Sequence, residues 1–351
     1  MLPRNAFDYY SSGANDMITL KENRQAFNRL RLRPRILHDV NVVDLSTTIL
    51  GEKVEFPICL SPVAMQQMAN PDGEVATARA AANMKTLMIL SSWSTVCLED
   101  VMQAAPQGLK WFQLYVYKDR VVTLDLIKRA EACGYKALAI TVDTPVLGRR
   151  EQDIRNQFAL PSHLTMGNFS NKGGDHNKGA TGKGGLSGYV ASLIDKTLNW
   201  DDIEWVRRNT TMKIVLKGIL TGEDADKACR LGVDGIMVSN HGARQLDTVP
   251  ATIEVLKEVV DSVNDRCEVY LDGGVCRGTD AIKAIILGAR AVFIGRPYLW
   301  GLSHSGQKGV EHVLSLLKDE LTLAMRLIGC TNTNELKPSM LIHHHALMAK
   351  L

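Results

Sequence analysis

The sequence predicts an α/β chain folded as one TIM (β/α)8 barrel, and three observations predict it. Eight short apolar runs recur, at 56–64, 86–92, 109–116, 136–143, 213–219, 235–241, 268–274 and 291–297. Runs that are apolar throughout suit parallel strands buried on both faces. Helical patterns follow most of them, at 74–84, 123–133, 223–231, 251–263, 279–287 and 310–327. Several of these end in glycine just before the next run, at Gly134, Gly232 and Gly288, as a left-handed helix C-cap requires. Eight β-α units argue for a barrel. A doubly wound open sheet competes, but no strand-linked G-x-G-x-x-G is present.

The whole of 1–351 reads as a single domain. Residues 1–50 form a cap of helices ahead of the first strand, and 145–212 form an insertion between the fourth and fifth strands. Within it, 167–188 is rich in Gly, Lys and Asn and is expected to be a mobile loop over the barrel mouth. Gly179-Ala-Thr-Gly182-Lys183-Gly184 lacks the spacing and the flanking strand of a phosphate loop. With 41 basic and 38 acidic residues the net charge is +3, which gives no reason to expect nucleic acid or an anionic membrane as partner. No run approaches the roughly eighteen apolar residues of a membrane span, and the first residues lack an apolar signal core. The seven cysteines form no CxxC pair and are expected to be free thiols. His343-His344-His345 reads as a solvated tail without ligand spacing, so no metal is expected. Ala349-Lys350-Leu351 resembles the Ser-Lys-Leu address read by the peroxisomal import receptor, so a peroxisomal location is expected.

Barrel active sites are built at the C-terminal ends of the strands. Here the sixth run ends in Ser239-Asn-His-Gly-Ala-Arg-Gln245. His241 can accept a proton near neutral pH, and Arg244 can clamp a carboxylate through paired hydrogen bonds. A turn whose His and Arg only satisfy backbone is the competing reading. Gly273-Gly274 and Gly295-Arg296, at the last two strands, let backbone N–H groups and a guanidinium approach a phosphate. Ser91, Gln113 and Thr141 can hydrogen-bond a flat heterocycle without charging it. Lys217 can sit where negative charge develops, although a buried lysine also fits a structural ion pair. A phosphate at one side and an amphipathic ring at the centre suit flavin mononucleotide.

Longer blocks carry a resemblance: Tyr9-Tyr-Ser-Ser-Gly-Ala-Asn-Asp16, Leu90-Ser-Ser-Trp93, Trp111-Phe-Gln-Leu-Tyr-Val-Tyr-Lys118, Thr141-Val-Asp-Thr-Pro145, Ser239-Asn-His-Gly-Ala-Arg-Gln-Leu-Asp247, Leu271-Asp-Gly-Gly274 and Ile294-Gly-Arg-Pro297. From residue 2 to its end the chain resembles the FMN-dependent 2-hydroxy acid oxidases, the glycolate oxidase family. The resemblance implies that Ala64, Ser91, Gln113, Thr141 and Lys217 face the isoalloxazine ring, and that Asp272, Gly273, Gly274, Gly295 and Arg296 hold ribityl and phosphate. It implies Tyr9, Tyr115, Arg150 and Arg244 at the substrate, His241 as base and Asp143 as stabiliser of its protonated form. Trp93 and Tyr115 should narrow the pocket in favour of a short acid such as glycolate. The implied reaction is oxidation of a small 2-hydroxy acid to the 2-oxo acid, with dioxygen as acceptor and peroxide as product, in a homotetramer or homo-octamer. The competitors are a family dehydrogenase with another acceptor, a non-catalytic flavin-binding protein, and an FMN-free barrel for a sugar phosphate. The chain departs from the family pattern at Cys276, where the family has Arg directly after Asp-Gly-Gly-Val, so weaker phosphate binding is expected. It also starts about one helix late, which leaves Tyr9 less secure, and has Val63 where Thr is frequent.

Overall fold

The computed structural model describes residues 2–170, 192–344 and 346. Eight parallel strands close into a barrel: β4 (Ile58–Leu60), β5 (Met88–Ser91), β6 (Lys110–Leu114), β7 (Ala137–Thr141), β8 (Lys213–Ile219), β9 (Gly235–Val238), β10 (Glu268–Asp272) and β11 (Ala291–Ile294), the last pairing back onto β4. Seven of the strands are shorter than the apolar runs that predict them, and β8 spans its run, 213–219, in full. Helices follow, at Gly73–Asn83, Leu98–Ala104, Arg120–Cys133, Trp200–Arg208, Gly222–Arg230, Thr252–Val263 and Gly278–Ile286. The short Leu98–Ala104 helix is absent from the sequence-based set, its seven residues being too few to show a helical period.

Side chains alternate along a strand, so every second residue faces the barrel axis. The inward set is Cys59, Ile89, Trp111, Ala139, Val215, Met237, Tyr270 and Phe293, one from each strand and all buried. Trp111, Tyr270 and Phe293 pack together there, with ring centroids 5.4–5.9 Å apart. A hairpin of β2 (Thr47–Ile49) and β3 (Glu52–Val54) contributes Ile49 and Val54 to this interior cluster and so plugs the barrel floor. Its tip is held by the Glu268 carboxylate, which accepts from Leu50 N at 3.1 Å.

The N-terminal cap holds α1 (Arg4–Ser11) and α2 (Ile18–Asn28). Helix α2 is fastened to the barrel mouth along its length. Asp247 accepts from Ile18 N and Thr19 N at 3.2 and 2.9 Å, which satisfies two of the orphan donors of its first turn. Asn23 and Asn240 exchange both amide bonds, at 2.9 and 2.7 Å, and Lys283 Nζ donates to Phe27 O at 2.9 Å. Gly274 lies under α2, where a Cβ would come within 1.9 Å of Asn23 O.

Two expectations are corrected. His343 is exposed but is not in a tail: it ends β12 (Leu341–His343), which pairs antiparallel with β1 (Leu30–Leu32). The stretch expected as a mobile loop begins instead as a helical turn, Gly167–Ser170. Asn168 in it is buried and bonds to Ser92 O, Ser94 Oγ and Leu98 N. The remainder of that stretch and Ala349-Lys350-Leu351 lie outside the described residues. Cys59, Cys97, Cys229, Cys267, Cys276 and Cys330 are free thiols, although Cys229 Sγ and Cys267 Sγ approach to 3.6 Å.

Truncating Trp111 removes the largest side chain of the interior cluster. Trp111→Ala is expected to cost about 3–5 kcal/mol, read as a lowered denaturant midpoint. An unchanged midpoint would contradict the packing described.

Candidate active site

The inward alternation explains the site. Two residues beyond each inward apolar side chain comes the next inward position, at the barrel mouth: Ser61, Ser91, Gln113, Thr141, Lys217, Ser239, Asp272 and Gly295. The same period that packs the interior therefore turns polar at the top of seven strands and ends in glycine, Gly295, at the eighth. These residues form connected pairs. Gln113 Nε2 donates to Thr141 Oγ1 at 2.9 Å, and Ser91 Oγ to Gln113 Oε1 at 3.3 Å. Lys217 Nζ donates to Ser239 Oγ at 3.0 Å and lies 3.4 Å from Asp272 Oδ2. The ion pair that competed with a cofactor role for Lys217 is thus present. Above this floor is a cavity of about 400 Å³, within the usual range for a small ligand or cofactor.

His241 is delivered by an unusual backbone. His241, Gly242 and Ala243 have φ of 58°, 63° and 62°, three successive left-handed residues, a conformation seldom adopted outside functional turns. His241 Nδ1 is 2.8 Å from Asp143 Oδ1, and Thr144 Oγ1 donates to the same oxygen at 2.8 Å. With Asp143 accepting from Nδ1–H, the Nε2 lone pair is left to take a proton. Burial pushes the His241 pKa below its usual value, against the pull of the Asp143 carboxylate. Burial opposes ionisation of Asp143 as well, but His241, Lys217 and the Thr144 hydroxyl outweigh it and leave its pKa lowered. The pair is therefore a neutral imidazole beside a carboxylate, a base with its protonated form already stabilised.

Gly218 permits this contact. It sits at an irregularity in β8 with φ of 118°, and a Cβ there would lie 2.6 Å from Asp143 Cβ. Gln245 fixes the same segment from the other side. Its Nε2 donates to Asp143 O and Val146 O at 3.0 and 2.9 Å, and its Oε1 accepts from Gly148 N at 3.0 Å.

Three arginines crowd the mouth. Arg244 Nη1 donates to Tyr9 O and Ser12 O, and its guanidinium lies over the Tyr9 ring, 4.8 Å from the centroid. Arg296 donates to Tyr10 O, Ser12 O and Gly242 O at 2.9, 2.9 and 3.1 Å. Arg150, buried, donates from Nε to Arg244 O at 3.2 Å. Burial and the neighbouring Arg150 push Arg244 down to about 9 and Arg296 to about 10, so each stays cationic at neutral pH while repelling the others. Tyr9, far from being insecure, is stacked on Phe158 with centroids 4.4 Å apart. Burial raises the Tyr115 pKa, with Asp143 adding to it, so its hydroxyl stays protonated and able to donate. Trp93 packs 5.0 Å from Tyr115.

Of the residues singled out in the sequence, Tyr9, Ala64, Ser91, Trp93, Gln113, Tyr115, Thr141, Arg150, Lys217, His241, Arg244, Asp272, Gly273, Gly274, Gly295 and Arg296 all line this one cavity. Asp143 does not line it; it stands behind His241. Sequence reasoning gave no role of their own to Ser61, Ser239, Gly218 and Gln245, although Ser239 and Gln245 bound the motif that holds His241. The first two could have been found by continuing the strand alternation past the apolar residues, whereas Gly218 and Gln245 become functional only through contacts between distant loops.

A cation-lined cavity with a base at the strand ends defines an α/β-barrel enzyme for anionic ligands. Residues 1–343 match the model of the FMN-dependent dehydrogenase family. The chain is 53% identical over its full length to 2-hydroxyacid oxidase 1 of Mus musculus, covering 95% of that protein. It is 54% identical to glycolate oxidase 1 of Zea mays over 95% of this chain and 90% of that one. Among solved structures, mandelate oxidase with (S)-4-hydroxymandelic acid superposes with a TM-score of 0.90 at 40% identity, covering 96% and 94% of the two chains. A mutant flavocytochrome b2 with pyruvate bound gives 0.86 at 40% identity, covering 97% and 83%. The chain belongs to the FMN-dependent dehydrogenase family, and FMN is its cofactor. The cavity fits that group. Asp272 Oδ1 is buried and has no hydrogen-bond partner among the described residues, as an acceptor for a ribityl hydroxyl would be. A Cβ at Gly295 would meet nothing nearer than Val63 Cγ2 at 3.7 Å, so the glycine leaves cavity space that a side chain would take.

Replacing Gly218 with Ala forces Asp143 away from His241. Gly218→Ala is expected to lower kcat by about a hundredfold or more while the purified protein keeps its flavin absorbance. Parental kcat would show that the His241–Asp143 contact is not needed.

Proposed function

We propose that this chain uses His241 as the base in the oxidation of a short 2-hydroxy acid such as glycolate to its 2-oxo acid. The reaction is an FMN-dependent oxidation of a 2-hydroxy acid, with dioxygen as electron acceptor and peroxide as product. The observation that carries the role of His241 is its 2.8 Å contact with Asp143 inside a cavity that also holds Arg244 and Arg150. Arg244, with Tyr9 beside it, binds the substrate carboxylate. Arg150 adds a second positive charge, and the Tyr115 hydroxyl donates to the substrate. His241 Nε2 then removes a proton, and Asp143 stabilises the imidazolium that results. FMN, when bound, would supply the two-electron redox chemistry that links oxidation of the substrate to reduction of dioxygen. Ser91, Gln113 and Thr141 would hold the ring through hydrogen bonds. Lys217 would place its charge beside the ring, where electron density accumulates, and Asp272, Gly273, Gly274, Gly295 and Arg296 would hold ribityl and phosphate. Trp93 and Tyr115, packed together with tilted rings, support a short substrate.

The proposal extends to assembly and location. Ile36, Leu37 and Val42 are exposed apolar residues on the segment tied to the end of the Arg296–Ile328 helix, where Leu323 and Leu327 are exposed as well. A patch of this kind supports association of identical chains, as a homotetramer or homo-octamer. Ala349-Lys350-Leu351 supports delivery to the peroxisome by the import receptor. No helix among the described residues is long and apolar enough to cross a membrane.

His241→Gln is expected to slow anaerobic flavin reduction by glycolate by about 10²–10⁴-fold; near-parental reduction would overturn the base assignment. Because the neutral imidazole is required and its pKa is lowered, kcat/KM should hold through neutral pH and fall only as pH drops through a value below 6.5. Asp143→Asn removes the carboxylate that pulls that pKa upward, so the acid limb should move to still lower pH. An acid limb unmoved in Asp143→Asn would contradict the coupling. Glycolate should reduce the flavin faster than 2-hydroxypalmitate, and the reverse order would contradict a narrow pocket.

A further inference from the structure

The cofactor-phosphate end of the cavity contains a cation that none of the roles above uses. Arg24 lines it together with Asn23, Gly274, Cys276 and Arg296. Helix α2, which carries Arg24, is anchored by Asp247, Asn240 and Lys283, so its position over Gly274 is fixed. Among the described residues, no hydrogen bond or ion pair engages the Arg24 guanidinium, which is exposed. The other arginine at this end is largely committed. A guanidinium has five N–H donors, and three of those of Arg296 are spent on the carbonyls of Tyr10, Ser12 and Gly242. A phosphate monoester carries close to two negative charges at neutral pH and three acceptor oxygens, more than the remaining donors of Arg296 can satisfy. Cys276 adds no charge. Burial pushes its thiol up, and of the charges opposing this Arg24 acts most strongly, ahead of Arg296 and of the adjacent Arg277.

We propose that Arg24 is a phosphate-binding residue of this chain, closing the cavity over the FMN phosphate opposite Arg296 and supplying the positive charge that the neutral Cys276 does not. The proposal rests on the phosphate lying at the Gly274–Arg296 end, as stated above. It also gives the N-terminal cap a role in cofactor retention, since α2 would be clamped to the barrel through the phosphate.

Riboflavin, which has the same ring and ribityl chain but no phosphate, separates these contributions. The full-length protein, stripped of flavin, is titrated with FMN and with riboflavin, following quenching of flavin fluorescence. Arg24→Ala is expected to weaken FMN by about tenfold or more and to leave riboflavin unchanged. Arg24→Lys should retain part of the preference. Arg24→Ala combined with Cys276→Arg should recover FMN affinity, because a guanidinium then reaches the same phosphate from the barrel side. Unchanged FMN affinity in Arg24→Ala, or equal loss for both flavins, would overturn the proposal. Arg296→Lys distinguishes the two ways of failing. If it lowers FMN selectively while Arg24→Ala does not, only the role of Arg24 falls. If neither variant distinguishes FMN from riboflavin, the phosphate lies elsewhere and the placement falls with it.

Discussion

Positive charge gathered at the mouth of the barrel constrains the rest of this structure. Arg150, Arg244 and Arg296 share one small cavity with Lys217, and burial and the neighbouring guanidinium groups disfavour the charges of Arg244 and Arg296. Charges of one sign in a partly dry cavity repel far more than in water. The chain meets this with neutral acceptors. Arg244 and Arg296 both donate to Ser12 O, and between them also take the carbonyls of Tyr9, Tyr10 and Gly242. Carbonyl dipoles solvate the guanidinium groups without neutralising them, so the cavity retains a net attraction for anions. A carboxylate substrate and a phosphorylated cofactor are the ligands that such a cavity accepts.

The same bonds explain the N-terminal cap. Residues 9–12 are held by the arginines of the sixth and eighth strand ends, and α2 is held by Asp247 and Asn240 of the segment that carries His241. The cap is therefore part of the site, and the closed barrel depends on it for one wall of the cavity. The His241 loop in turn leans on Ala14 and on the segment after β7, through Ala14 N to Ala243 O at 2.8 Å and through Gln245. Its three left-handed residues would be costly in isolation; here the backbone is determined from two sides, and the imidazole is aimed before any ligand arrives.

Much of this was legible in the sequence because the barrel obeys a period of two. Apolar runs located the strands, and the polar residues at their ends, such as Gln113, Thr141 and Lys217, marked the cavity floor. What the sequence could not show has a common physical cause. The β2–β3 hairpin strands have three residues each, too short for a period. The pairing of β12 with β1 joins segments some three hundred positions apart. Gly218 matters because of what its missing Cβ would strike, and Gln245 because its amide meets carbonyls about a hundred positions away. Asp143 could be assigned from resemblance, but only the folded chain shows that it reaches the His241 ring from behind, outside the cavity.

The most direct test of the whole account is the visible spectrum of the FMN-loaded protein, recorded without oxygen before and after adding glycolate. The account predicts bleaching of the flavin band, and its return on admitting air together with peroxide. A flavin that stays oxidised in the presence of glycolate would contradict it, because the cations, the base and the cofactor would then share a cavity without acting on one substrate.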